Sequence, residues 1–92
     1  MAGRLFPLGQ VVATPGVLEE FKASGDDPLA FLIRHWCGDW GEVNAEDALA
    51  NDLSLIRGER LLSAYTMSNG TRLWIITEWD RSYTTILLPE EY

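Results

Sequence analysis

Of the 92 residues only Cys37 is a cysteine, so no disulfide can form within the chain, and a reducing cytosolic setting fits. Residues 1–9 hold no apolar run long enough for a signal peptide or a membrane span, which reads as a soluble cytoplasmic protein. Cations are scarce: 7 Lys and Arg stand against 14 Asp and Glu, for a formal charge of −7. That balance opposes binding to phosphate backbones and anionic membranes and favours basic partners. There is one histidine, His35, and no glycine-rich phosphate loop, internal repeat or low-complexity tract. Zinc and copper sites need three or four soft ligands, and His35 with Cys37 supplies at most two, so no metal or other cofactor is expected. Those two residues, two apart on a helix, point about 200° apart and would not be in contact as a nucleophile–base pair without distortion of the helix.

What is present is apolar. Hydrophobic residues make up 47% of the chain and four are tryptophan, which argues for a folded globule rather than a disordered acidic chain. The length allows one modest core, hence a single domain over 1–92.

Residues 60–88 read as three consecutive antiparallel strands, 60–67, 72–79 and 83–88. Asn69 and Gly70 both tolerate positive φ and suit a two-residue hairpin turn. Such a turn sets Tyr65 opposite Trp74, Ser63 opposite Ile76 and Ala64 opposite Ile75. Apolar residues then lie on both faces: Leu61, Tyr65, Trp74 and Ile76 on one, Leu62, Ala64, Leu73, Ile75 and Ile86 on the other. Two apolar faces call for helices on one side and a partner or second cover on the other. The β-prone run 10–13 adds a fourth strand at an edge.

Three helices are expected before this meander. Thr14 and Pro15 start the first, which runs to Ser24 with Val17, Leu18 and Phe21 inward and Gly25 as its stop. Asp27 and Pro28 start the second, whose Leu29, Leu32, Ile33 and Trp36 face the sheet, and Gly38 ends it. Residues 38–41 form a tight ordered turn around Trp40. Asn44, with Asp47 three residues on, starts the third, where Leu49, Leu53 and Ile56 form the apolar stripe and Gly58 the stop. The fold class is therefore α+β: a three- or four-stranded antiparallel sheet, a C-terminal meander, with about three helices mainly on one face.

Two functional classes follow. Carboxylates crowd the helical half, and Asp39, Glu42, Glu46, Asp47 and Asp52 are candidate contacts for a basic, nucleic-acid-binding partner. The bland alternative is the ordinary solvated face of surface helices. The rival class is a small enzyme or ligand-binding domain with a site around His35, Asp39, Trp40, Glu78 and Arg81. His35 either caps or packs at its helix C-terminus, where the dipole favours a cation, or reaches across the fold to Ser63 or Asp80. Asp80-Arg81-Ser82 reads as a turn with Asp80 bonding its own backbone, or as a recognition tip. Convergence of the site residues in one cleft would favour the second class.

Three segments, 8–16, 35–41, and 61–65 with 73–92, resemble a family of short proteins carried on plasmids, phages and other integrating elements of proteobacteria. The family pattern matches at His35, Gly38, Asp39, Trp40, Gly41, Trp74, Glu78, Asp80, Arg81 and Ser82, and the resemblance covers most of the chain. Small size, acidity and carriage on mobile elements are similar to what anti-defence proteins show, among them anti-CRISPR and DNA-mimic anti-restriction proteins. The resemblance implies a non-enzymatic inhibitor of a bacterial defence complex, with a CRISPR effector as the leading partner and no direct contact with nucleic acid.

Overall fold

Proline and glycine set the helix limits in the computed structural model, which describes residues 4–92. Helix α1 (Pro15–Ser24) is capped by Thr14, whose hydroxyl accepts from Val17 N, and closed by left-handed Gly25. Helix α2 (Pro28–Trp36) is capped by the Asp27 carboxylate. Helix α3 (Ala45–Arg57) is capped by Asn44, which accepts from Asp47 N, and closed by Gly58. These starts satisfy backbone N–H groups that have no partner inside the helix.

The strands are β1 (Gln10–Ala13), β2 (Leu61–Thr66), β3 (Arg72–Thr77) and β4 (Tyr83–Leu87), with a short 3-10 turn over Pro89–Glu91. They form one sheet in the order β1-β4-β3-β2. The expected α+β class and C-terminal meander are present, and the fourth strand lies at an edge, but it runs parallel to β4. The sheet is therefore mixed rather than purely antiparallel.

The β2–β3 register differs by one residue from the expected one: Tyr65 pairs with Leu73, Ala64 with Trp74 and Ser63 with Ile75. The turn is the cause. Met67 N donates to Thr71 O at 2.7 Å and Gly70 N to Met67 O at 2.9 Å, and Gly70 is left-handed while Asn69 is not. This is a three-residue loop with glycine in the bulge position, not a two-residue turn. A one-residue slip regroups the faces. Leu61, Ser63, Tyr65, Leu73, Ile75 and Thr77 share the inner face, while Leu62, Ala64, Trp74 and Ile76 share the outer one.

The inner face meets Val17, Phe21 and Leu32 of the first two helices. The C-terminal tail crosses the outer face, where the Tyr92 ring stands edge-on to Trp74 at 5.8 Å. Glu91 anchors that tail by accepting from Thr14 Oγ1 at 2.5 Å, Leu88 N at 2.9 Å and Gly16 N at 3.2 Å. The second cover of the sheet thus comes from the chain itself.

Two helices are rotated from their expected orientation. In α2, Leu32 is buried and Trp36 half-buried, but Leu29 and Ile33 are exposed, and His35 takes a fully buried place. In α3 the stripe Leu49, Leu53 and Ile56 faces outward, while Asn51 and Ser54 are buried and Ala48 and Leu55 pack against the Phe6, Trp40 and Leu61 cluster. The reason is that α3 lies along the free edge of β2 rather than on a sheet face. Asn51 Nδ2 donates to Leu62 O at 2.7 Å and its Oδ1 accepts from Leu62 N at 3.1 Å. One residue pair further on, Ala64 N donates to Trp40 O at 3.1 Å and Ala64 O accepts from Glu42 N at 2.7 Å. An edge strand has unpaired backbone groups, so the residue best placed to face it is an amide, not a leucine.

Candidate functional site

His35 lies on the inner turn of α2 against the middle of the sheet, and no part of it is exposed. Its Nδ1 is 2.6 Å from Ser63 Oγ and its Nε2 2.9 Å from Thr77 Oγ1; Thr77 Oγ1 is 2.7 Å from Thr84 Oγ1, which donates to Leu8 O at 2.7 Å. The proton positions follow from that last bond, because a carbonyl can only accept. Thr84 spends its proton on Leu8 O and so accepts from Thr77. Thr77 in turn accepts from His35 Nε2–H, leaving Nδ1 to accept from the Ser63 hydroxyl. His35 is therefore the neutral Nε2–H tautomer with both ring nitrogens satisfied.

Burial, with the charge of Arg81 as a lesser cause, lowers the His35 pKa from 6.5 to about 4. It packs in the last turn of α2 as expected, but as a neutral ring rather than the cation the dipole favours, and of the two distant partners expected it meets Ser63. Ser63 and His35 have the contact of a nucleophile–base pair, yet Ser63 is also wholly buried and the far nitrogen faces a threonine rather than an orienting carboxylate. At neutral pH so acidic an imidazolium leaves a weak base.

A pH dependence follows. The folded-state pKa lies below the unfolded one, so the unfolded chain binds the extra proton first. The stabilisation is complete above about pH 6.5 and is lost as pH falls toward 4, by about 3 kcal/mol from this group. Urea unfolding at pH 7 and pH 4 should show that loss in the native protein, and a smaller one in His35→Gln, with the difference between the two isolating His35.

The remaining candidates are spent on the fold in different places. Asp39 accepts from Arg34 Nε at 2.7 Å and from Gly41 N at 3.1 Å, and the guanidinium holds its carboxyl below the ordinary range. Its carbonyl takes the Tyr65 hydroxyl at 2.6 Å, and burial pushes that phenol up to about 12. Trp40 is buried, as its place between two glycines required, and its indole N–H donates to Asp52 Oδ1 at 3.0 Å. Arg81, the one non-glycine residue with positive φ among those described, sends its guanidinium to Glu59 O at 2.6 Å, Glu78 O at 3.0 Å and Ser54 O at 3.0 Å. It thereby ties the β3–β4 turn to the negative end of α3. Asp80 accepts from Ser82 N at 3.0 Å and from Ser82 Oγ at 2.6 Å, which is the expected local turn.

His35, Trp40 and Arg81 do converge, but on Phe6 rather than on a cleft. The Phe6 ring is 5.3 Å from His35, 6.3 Å from Trp40 and 5.8 Å from the Arg81 guanidinium carbon, and it fills the space between them. Asp39 is turned away toward Arg34, and Glu78 enters through its carbonyl. Two surface grooves, one of about 620 Å³ along residues 4–9, Val11 and Trp36 and one of about 550 Å³ beside Leu18, are lined by none of the five candidates. Among the described residues no three of His, Cys, Asp or Glu gather where a metal ion could sit, and no helix is long and apolar enough to cross a membrane.

The carboxylates proposed as partner contacts are all exposed. Glu46 and Asp47 stand in the first turn of α3. Glu42 accepts from Thr66 Oγ1 at 2.9 Å with Arg72 3.9 Å away, Asp52 is held by Trp40, and Asp39 is largely offset by Arg34. Sequence reasoning missed two things here: the Thr77–Thr84 extension of the His35 chain, and the outward apolar row of α3. Hydroxyl residues at inward strand positions opposite a lone helical histidine were the signal for the first. Compared with known proteins, the chain matches no family model, no curated protein and no solved structure.

Proposed function

We propose that this is a small acidic, non-enzymatic inhibitor of the kind mobile elements carry, binding a basic, nucleic-acid-binding surface of a bacterial defence complex in the manner of an anti-CRISPR or DNA-mimic protein. One observation carries the choice over the enzyme reading. The side chains with chemical potential, His35, Arg81 and Trp40, are consumed inside the fold, whereas the carboxylates of residues 42–52 stand at the surface. Charge placed this way steers a Lys/Arg-rich partner more than it adds raw affinity.

Affinity capture from bacterial cells that carry defence systems, with the bound proteins identified by mass spectrometry, supplies the partner. Glu46→Lys together with Asp47→Lys should then slow association about tenfold at low salt and flatten its salt dependence, with little change in dissociation. Charge reversals that leave association unchanged, with an activity that depends on His35, would instead restore the enzyme reading.

A further inference from the structure

The outer side of α3 carries a row of side chains that the fold does not use. Leu49, Leu53 and Ile56 are 59%, 36% and 84% exposed. Their spacing of four and then three residues keeps them within about 60° of one another around the helix. Asn51 and Ser54, which face β2 and the turn tied by Arg81, lie on the opposite side. Glu46 and Asp52 flank the row about 60° to either side, and Arg57 is the cation of the last turn. An apolar row of this spacing, left exposed among the described residues, is what one helix presents to another.

We propose that this row is the centre of the binding surface and that its occupant is a Lys/Arg-flanked amphipathic helix of a partner protein, a reading that rests on the binding function above. Charge selects the occupant. The flanks of the row and the first turn of α3 are carboxylates, and the whole chain carries −7, so a lysine-flanked helix is drawn in and its rim is paired. A second copy would bring the same −7 and, packed antiparallel about a two-fold axis, would set Asp52, near the middle of the row, beside its own counterpart. A basic surface lined only by cations would leave the three apolar side chains in water, so the nucleic-acid-binding surface that this protein covers has to include such a helix. The row sets how long the partner stays and the carboxylates how fast it arrives.

The test titrates the full chain into a fluorescent synthetic helical peptide with leucines spaced three and four apart and lysines on both flanks. Its control is the same peptide with serine for leucine and unchanged charge. The native protein should hold the leucine peptide at least about tenfold tighter than the serine one, and the triple variant Leu49→Ser, Leu53→Ser, Ile56→Ser should lose that preference while keeping the weak charge-driven binding. Ile56→Ser alone, at the most exposed position, gives the same direction of change with the least risk to the fold. Equal binding of both peptides by both proteins overturns the inference and leaves the basic-partner reading standing; binding of neither peptide counts against both. Dimerisation of the native protein in sedimentation, abolished in the triple variant, assigns the row to a second copy and also overturns it.

Discussion

Replacing His35 with alanine is expected to cost about 3–5 kcal/mol of folding stability, a large part of what a domain of this size possesses. Two losses add. The imidazole leaves a void among Phe6, Trp40 and the sheet, and the chain of hydroxyls that ran through it is cut. The Ser63 hydroxyl is then buried without its acceptor, and Thr77 loses the donor it took from Nε2. His35→Gln keeps an amide N–H that can reach Thr77, so it should recover part of the loss. Urea denaturation of the three proteins at pH 7 measures the series. Alanine within about 1 kcal/mol of the native protein would show that the site collapses or fills with water. The same series bears on function: His35→Gln, if folded, should bind a partner as the native protein does, since the ring never meets the surface.

Gly41→Ala is the second large effect. The residue has φ of 73°, and a Cβ built on it would lie 2.1 Å from Ala64 O and 2.6 Å from the Tyr65 ring. Neither neighbour is the loose end of a flexible side chain. The loop must withdraw, which breaks the Trp40–Ala64 and Glu42–Ala64 backbone bonds and exposes the β2 edge, at a cost of about 3 kcal/mol or more. Gly58→Ala is the matched control, because its φ of 72° is similar while nothing lies within 4 Å of the added carbon. It should show only the conformational cost, about 1–2 kcal/mol. Comparable melting temperatures for the two variants would mean that the loop adapts and that the contact with β2 is soft.

What could be read from residues alone was whatever a short stretch dictates by itself. Thr14, Asp27 and Asn44 are caps wherever the rest of the chain goes, and Gly25 and Gly58 are stops for the same reason. The strand segments were equally local. The errors arose where a tertiary contact outweighed a pattern. Counting His35 as polar turned the face of α2 toward Leu29 and Ile33, because nothing in the α2 sequence announces three hydroxyls waiting in the sheet. The α3 stripe was legible as apolar but not as outward, since the direction depends on whether a helix covers a face or an edge. The turn at Asn69-Gly70 carried the right residues for two loop lengths, and the register hung on the choice. For the candidate site, His35–Ser63 was within reach of inference and the filling of the cleft by Phe6 was not, because an aromatic in an irregular segment has no periodicity to place it.

The pairing of β1 with β4 puts the first strand beside the last. Thr84 bonds Leu8 across 76 residues, and Glu91 reaches the start of α1 across 75. During synthesis β1 has no strand to join until β4 has emerged from the ribosome, so the first of the four strands is among the last to find its place. Loop closure over that distance is slow relative to hairpin formation. The meander, whose neighbours in sequence are neighbours in space, can form first, and β1 then locks the nearly finished sheet by filling its open side. Until that step Phe6 has not arrived, and His35, Trp40 and Arg81 lack the ring they share.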